Sequence, residues 1–156
     1  MRELIIFNVV AAVLVSSVLL PLSSADSYTY EAQKDAIYYA ACDNGNKLRA
    51  VIAAGTSINA IDSHGNTALI TAADHHKKDV VELLINNGAS LNIQNAKGET
   101  ALMIAAKEGS TDIVSILLDA EADPNIRDRK GQTALEKAEE SGHPETAGLI
   151  GRAGGK

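Results

Sequence analysis

The sequence predicts an all-α repeat fold, a solenoid of about four helix–turn–helix units joined by hairpin loops. Three observations predict it. A five-residue motif recurs at one fixed spacing, as Gly65-Asn66-Thr67-Ala68-Leu69, Gly98-Glu99-Thr100-Ala101-Leu102 and Gly131-Gln132-Thr133-Ala134-Leu135. Other residues recur at the same spacing: the alanine pairs Ala72-Ala73 and Ala105-Ala106, and the asparagines Asn59, Asn92 and Asn125. Self-similarity at a fixed period of this kind indicates one supersecondary unit stacked on copies of itself.

Residues 1–25 have the pattern of a secretory signal peptide. Arg2-Glu3 precedes the apolar stretch from Leu4 to Leu22, and the small residues Ser23-Ser24-Ala25 follow. This order of regions predicts cleavage after Ala25. Because the apolar stretch approaches the length of a membrane span, an uncleaved anchor helix is the alternative. The predicted location is the bacterial periplasm, or outside the cell.

A polar lead-in at 26–34 is predicted to precede a repeat domain at 35–154. The four repeats are expected at about 35–61, 62–94, 95–127 and 128–154. In the second repeat, Leu69, Ala72 and Ala73 share one helical face, and Asn87-Gly88 ends the second helix.

The outer repeats depart from the central pattern, as the terminal units of a stack do. The stretch from Gly45 to Gly55 in the first repeat is shorter than the matching stretch from Gly109 to Glu121 in the third. Gly148 and Gly151 lower the helix propensity of the last repeat by about 1 kcal/mol each relative to Ala. The last repeat is therefore expected to form a fraying C-terminal cap.

These residues resemble the ankyrin repeat family. The pattern Asp-x-x-Gly-x-Thr-x-Leu-x-x-Ala-Ala-x-x-Gly, followed by Val-x-x-Leu-Leu and Gly-Ala-x-x-Asn, is met from Asp62 onward. One departure concerns the turn between the two helices of the second repeat. His76 stands there at the position that Gly109 and Gly142 hold in the next two repeats. A positive φ is expected at His76, at a cost of about 1 kcal/mol for a residue with a Cβ.

The composition disfavours several classes of function. The chain has 156 residues, a formal net charge of −6, no Trp and one Phe, which argues against nucleic-acid binding. The single cysteine, Cys42, excludes an intramolecular disulfide and a cysteine-based zinc site, and a buried thiol is expected there. The four histidines are expected to be surface residues rather than metal ligands, because no metal motif accompanies them: His64, His75, His76 and His143. The glycines lie in separate turns, so no phosphate-binding loop is predicted.

The resemblance implies a surface for a protein partner. In ankyrin stacks, partners contact the hairpin tips and the exposed end of the first helix of each repeat. The matching residues are Ser63, His64, Asn66, Asp74 and His75, then Ala96, Lys97, Glu99, Lys107 and Glu108, then Arg129, Lys130, Gln132, Glu139 and Glu140. Basic tips beside mainly acidic helix ends would fit a protein surface of mixed charge. Ordinary solubility charge is the alternative interpretation of each residue.

The sequence thus predicts an exported, monomeric, non-enzymatic protein that binds another protein, without a cofactor or nucleic acid, through its concave face and hairpin tips. The resemblance leaves three alternatives. The chain would be an accessory or protective factor for a periplasmic enzyme, for example in peroxide defence, or a secreted effector that acts on host proteins. The third is a membrane-anchored structural adaptor, which an uncleaved apolar segment would support.

Overall fold

The computed structural model describes residues 37–39 and 45–156. Residues 37–39 are helical, and seven further helices follow in the described part: α1 (Gly45–Ala53), α2 (Ala68–Asp74), α3 (Lys78–Asn86), α4 (Ala101–Lys107), α5 (Thr111–Asp119), α6 (Ala134–Glu140) and α7 (Pro144–Arg152). Within those residues the β pairing amounts to one isolated antiparallel bridge between Ile61 and Thr67. The prediction of an all-α repeat fold is confirmed. The predicted signal peptide, the lead-in segment and Cys42 lie outside the described residues.

The helices form two layers that run along the stack. In each of the last three repeats a shorter first helix is followed by a longer second helix. The first helices form one layer, in which α4 packs between α2 and α6. The second helices form the other layer, in which α5 packs between α3 and α7, and α1 packs on α3. Each repeat therefore contacts its neighbours, as expected of a solenoid.

The recurring threonine starts each first helix. Thr67, Thr100 and Thr133 have extended backbone, and each side-chain oxygen accepts a hydrogen bond from the main-chain N–H three residues on. Thr133 is part of a full capping box, because the Glu136 carboxylate accepts the N–H of Thr133 at 2.7 Å. A cap of this kind stabilises a helix by about 1 kcal/mol. The last second helix, α7, starts instead with Pro144 in its first turn, where a missing N–H costs nothing.

The core consists of alanines on the first helices and of larger, branched side chains between the two helix layers. The alanines of the first helices are buried in three rows along the stack, at Ala68, Ala101 and Ala134, at Ala72, Ala105 and Ala138, and at Ala73 and Ala106. Because these side chains are small, neighbouring first helices can lie close together. Larger side chains fill the space between the layers, including the fully buried Leu48, Leu84, Leu117 and Ile150. The core is one continuous cluster along the stack.

In the described part of the chain, two positions with a positive φ are occupied by residues that have a Cβ. His76 has φ 55°, as predicted, and Gly109 and Gly142 in the matching turns have φ 67° and 76°. Glu121, with φ 68°, is the second such residue. Each costs about 1–2 kcal/mol relative to glycine. At His76 part of that cost is offset, since its Nδ1 forms a hydrogen bond with the Ser110 hydroxyl in the next repeat.

The periodic asparagines connect successive loops. The side-chain oxygens of Asn59, Asn92 and Asn125 each accept a hydrogen bond from a main-chain N–H of the following loop. The donors are Ser90, Asp123 and Lys156, at 2.8, 3.0 and 3.0 Å. The regular spacing of these asparagines therefore reflects an inter-repeat contact that recurs in each step of the stack.

The last repeat is more complete than the expected fraying cap. Helix α7 is as long as α3 and α5, and its Ile150 is fully buried. Gly148 and Gly151 are exposed, and a Cβ at either would meet nothing within 4 Å, so the core loses no contact there. The final residues are also held, because the Asn125 side-chain amide donates to the Gly154 carbonyl at 3.2 Å. Burial and this tether offset the low helix propensity of the glycines.

Candidate protein-binding surface

Each hairpin tip is folded by one carboxylate or amide side chain. The Oδ1 atoms of Asp62, Asn95 and Asp128 each accept hydrogen bonds from the main-chain N–H groups two and four residues on, at 2.8–3.0 Å. Such side chains stabilise a turn by replacing main-chain acceptors. The three tips consequently have the same backbone conformation, although their exposed side chains differ.

The tips are also bonded to one another. The main-chain N–H of Ala96 donates to the His64 carbonyl at 2.8 Å, and the N–H of Arg129 donates to the Lys97 carbonyl at 3.1 Å. The backbones approach so closely that a Cβ on Gly98 would lie 2.7 Å from the Arg129 nitrogen. The tips thus form a row fixed by main-chain hydrogen bonds. The side chains on it are solvent-exposed, as the 80% exposure of the His64 side chain shows.

The exposed ends of the first helices lie beside the tips in the repeat unit. Asp74 and His75 are exposed at the end of α2, and Glu139 and Glu140 are exposed at the end of α6. At the end of α4 the Lys107 ammonium lies 2.9 Å from the Glu108 carboxylate. That hydrogen bond is the main reason why the pKa of Lys107 is raised and the pKa of Glu108 is lowered.

Glu99 is a correction to the predicted surface. Its side chain is 11% exposed, and its carboxylate lies 2.8 Å from the Lys137 ammonium. The same ammonium lies 2.8 Å from the Asp128 carboxylate, whose side chain is 3% exposed. We call these three residues, Glu99, Asp128 and Lys137, the buried triad. Glu99 therefore joins the third repeat to the fourth, and it presents little of its carboxylate to a partner.

The ionisation of the buried triad follows from competing effects. Burial disfavours the charged form of Asp128, but hydrogen bonds from Lys137 and from the N–H groups of Gln132 and Lys130 outweigh it and lower the pKa of Asp128. Burial likewise opposes the charge on Lys137, but hydrogen bonds to Asp128 and Glu99 outweigh it and raise the pKa of Lys137. Both groups are charged at neutral pH. The roles of Asp128 and Lys137 were not predicted from the sequence, although Lys137 occupies the helical position of the buried Ile104 one repeat earlier.

A family model agrees with this geometry. The model described as ankyrin repeats (3 copies) matches the chain over residues 12–95 and 83–154. The chain belongs to the ankyrin repeat family. Ankyrin repeats are generally protein–protein interaction modules and typically have no enzymatic activity. Comparison with curated proteins gives no match.

On the ankyrin stack, the remaining predicted contact residues fall into two rows. The tip row consists of Ser63, His64, Asn66, Ala96, Lys97, Arg129, Lys130 and Gln132. The helix-end row consists of Asp74, His75, Lys107, Glu108, Glu139 and Glu140. All of these residues are exposed or partly exposed. Some of them already have hydrogen-bond partners: the Asn66 side chain accepts from the Asn95 amide at 3.1 Å, and the Gln132 amide donates to Glu140 at 2.7 Å.

The histidines of the ankyrin stack are dispersed over its turns and tips. In residues 37–39 and 45–156, no group of three or more His, Cys, Asp or Glu side chains is arranged to hold a metal ion. His76 is engaged with Ser110, and the His143 ring fills the space beside Gly109, where a Cβ would lie 2.5 Å from it. His143 therefore gives Gly109 a steric requirement in addition to its positive φ.

None of the helices in the described ranges is both long and apolar enough to cross a bilayer. The apolar stretch from Leu4 to Leu22, which carries the signal-peptide and anchor predictions, lies outside those ranges.

Proposed function

We propose that this ankyrin protein is exported and binds a partner protein through the tip row and the helix-end row. The observation that carries the proposal is the main-chain bonding between the tips, which fixes their backbone while the side chains of His64, Lys97 and Lys130 stay in solvent. A surface that is ordered before binding loses less conformational entropy when the partner arrives. Rigid presentation of variable side chains is what a recognition surface requires.

The charges of the two rows suggest the chemistry of the partner. Lys97, Arg129 and Lys130 make the tip row basic, whereas Asp74, Glu139 and Glu140 make much of the helix-end row acidic. Two adjacent rows of opposite sign favour a partner surface that also carries both signs, in one orientation. The Lys107–Glu108 pair lies in the third repeat, where it can exchange its internal ion pair for contacts with the partner.

We assign no catalytic residue and no cofactor. The shifted pKa values of the described residues have structural causes, the Lys107–Glu108 pair and the buried triad. Because these groups are paired with one another, their shifted pKa values do not indicate a catalytic site. Export is included because of the signal pattern of residues 1–25, and the protein acts as a monomer in this proposal.

The experiment is affinity capture of partners from periplasmic extract of the source cells, with mass spectrometry and a matched pair of variants. The test variant is Lys97→Ala/Lys107→Ala/Glu108→Ala, which changes one tip and one helix end. The control is Lys78→Ala/Glu82→Ala/Asn86→Ala, whose residues are all exposed on α3. We expect the test variant to lose at least about tenfold in affinity, equal to about 1.4 kcal/mol, with little change in the melting curve.

The outcome separates the alternatives. A captured periplasmic enzyme would favour the accessory role. Capture of a host protein from a host-cell extract, probed in the same way, would favour the effector role. Recovery of the chain in the membrane fraction would favour the anchored adaptor. Equal loss of binding in both triple variants, or no loss in either, would show that the partner uses another face.

A further inference from the structure

The second helix of the second repeat ends with a residue pair that the matching positions of the other repeats lack. Helix α3 is followed by its C-cap residue Asn87 and by Gly88, which has a positive φ of 83°. The residues that directly follow α1, α5 and α7 at the matching position are Ala54, Ala120 and Ala153. The fold therefore does not require an asparagine at the end of α3.

An asparagine followed by a glycine is chemically reactive, and asparagine is among the thermolabile residues. The main-chain nitrogen of Gly88 can attack the Cγ atom of Asn87, because a glycine has no Cβ to hinder the approach. The N–Cγ bond forms, the Cγ–Nδ2 bond breaks, and the amide nitrogen leaves as ammonia with the proton of the Gly88 N–H. Water then opens the resulting succinimide ring at either carbonyl. The product is aspartate or isoaspartate, with one water consumed and one ammonia released.

The folded chain holds both reacting groups in hydrogen bonds. The Asn87 amide donates to the Leu83 carbonyl at 2.7 Å, and the Gly88 N–H donates to the Ile85 carbonyl at 3.0 Å. While both bonds are made, the carboxamide is fixed at the helix end and the Gly88 nitrogen keeps its proton, so both bonds must break before the attack. Asn87 and Gly88 are exposed, and a Cβ on Gly88 would meet nothing within 4 Å. Local opening of the helix end is therefore sufficient to free them.

We propose that Asn87 is a deamidation site whose rate is set by local opening of the C-terminal end of α3. Two hydrogen bonds of ordinary net strength slow the reaction about 10- to 100-fold relative to the unfolded chain, because only the open fraction reacts. Asn87 and Gly88 belong to neither the tip row nor the helix-end row. The inference is therefore independent of the proposed function.

The isoaspartate product disturbs the loop that follows α3. Isoaspartate at position 87 adds a methylene group to the main chain, whereas aspartate keeps the length of the main chain unchanged. Ala89, two residues on, is buried and donates its N–H to the Leu84 carbonyl at 3.0 Å. The N–H of Ser90 donates to the Asn59 side chain at 2.8 Å, which is the contact between the loops of the first two repeats. A longer main chain before these residues is expected to weaken that contact.

The test follows Asn87 by tandem mass spectrometry of tryptic peptides while native and urea-unfolded protein are kept side by side at mildly alkaline pH. We expect deamidation at Asn87 in both samples, about 10- to 100-fold more slowly in the native protein. Urea below the unfolding transition should hardly change the native rate, because local opening exposes little surface. Asn87→Ala should remove the signal and keep the fold. The second Asn-Gly pair of the sequence, Asn44-Gly45, lies in a different tryptic peptide and is measured separately.

A matched set of variants distinguishes local opening from global unfolding. Asn86 is the exposed last residue of α3, and Asp119 is the exposed last residue of α5 at the matching position. Glycine in place of alanine weakens either helix end to a similar extent. Each rate is divided by the rate of the same variant in urea. Asn86→Gly should then deamidate at Asn87 about fivefold faster than Asn86→Ala, whereas Asp119→Gly and Asp119→Ala should react equally fast.

Several outcomes would overturn the inference. Equal rates in native and unfolded protein would mean that the two hydrogen bonds give no protection. A native rate more than about a thousandfold below the unfolded rate, a rate that rises steeply with urea, or equal acceleration by Asn86→Gly and Asp119→Gly would mean that only global unfolding exposes the site. In aged protein the Ser90 amide should exchange its hydrogen faster than in Asn87→Ala aged in parallel, and unchanged exchange would contradict the effect on the loop.

Discussion

Replacing Lys137 by methionine is expected to destabilise the interface between the last two repeats strongly. The ammonium lies 2.8 Å from both carboxylates of the buried triad, and the side chains of Lys137, Glu99 and Asp128 are 8%, 11% and 3% exposed. Lys137→Met leaves two neighbouring carboxylates in the interior without their cation. Breaking a buried ion pair in this way costs about 3–5 kcal/mol, a large part of the stability of a domain of this size.

The control removes the charges together. Lys137→Met/Glu99→Gln/Asp128→Asn has no unpaired charge, and an asparagine at position 128 retains the side-chain oxygen that folds the tip, as Asn95 does in the preceding repeat. Neutral or apolar replacement of a whole ion network is often close to neutral in free energy. We expect the triple variant to recover most of the loss. Urea unfolding of wild type, single and triple variants at pH 7 measures the differences.

The pH dependence provides a second measurement. The folded pKa of Asp128 is lowered, so its contribution is complete above the unfolded pKa of about 3.9 and is lost as the pH falls through the folded pKa. The folded pKa of Lys137 is raised, so its contribution is complete below about 10.4 and is lost as the pH rises through the folded value. Lys137→Met should therefore lose less stability at pH 3.5 than at pH 7. A loss below about 1 kcal/mol at pH 7 would refute this account of the buried triad.

The other predictions concern single positions. His76→Gly should change the free energy of unfolding by less than about 0.5 kcal/mol, because relief of the positive φ is offset by the lost hydrogen bond to Ser110. In a Ser110→Ala background, where that bond is absent, His76→Gly should stabilise the protein by about 0.5–1 kcal/mol, as measured by urea unfolding. Asn92→Ala should cost about 1 kcal/mol through its lost loop contact, whereas Asn86→Ala, exposed on α3, should cost less, as thermal melts will show. Cleavage after Ala25 should appear in the intact mass of the exported protein; retention of residue 1 in a salt-washed membrane pellet would indicate the anchor instead.

The repeat architecture was predictable because one recurring sequence motif determines both local structure and packing. The threonine of Thr-Ala-Leu caps each first helix, and the alanine that follows lies on its packed face. The local preference for a helix start and the burial of the helix face thus agree at the same residues. A fold can be predicted from sequence where these levels agree. The turn at His76 was predictable for the same reason, since the glycines at the matching positions indicate a positive φ.

The buried triad was not predictable in this way. Glu99 follows a tip glycine, where its neighbours in the repeat alignment, Asn66 and Gln132, are partly exposed. Its burial depends on Lys137, which lies in the next repeat and replaces an apolar residue of the preceding one. A repeat pattern shows which residues recur. It does not show that two residues form a pair when both of them differ from the matching residues of the other repeats. One sequence signal could have indicated the buried triad: Lys137 stands at a helical position that is apolar in the preceding repeat.

The residues that repeat and those that do not have different roles in this chain. Where the three repeats agree, as at Gly65, Gly98 and Gly131, the residue meets a backbone requirement. Where they differ at the same register, as in the helix-end set Asp74, Lys107 and Glu140, the side chain is exposed and its charge changes sign along the stack. A backbone that is identical from repeat to repeat cannot distinguish one partner from another. In the proposed function, recognition therefore resides in the positions that vary, and their alternating charge would favour a partner whose own charges are arranged at the spacing of the repeats.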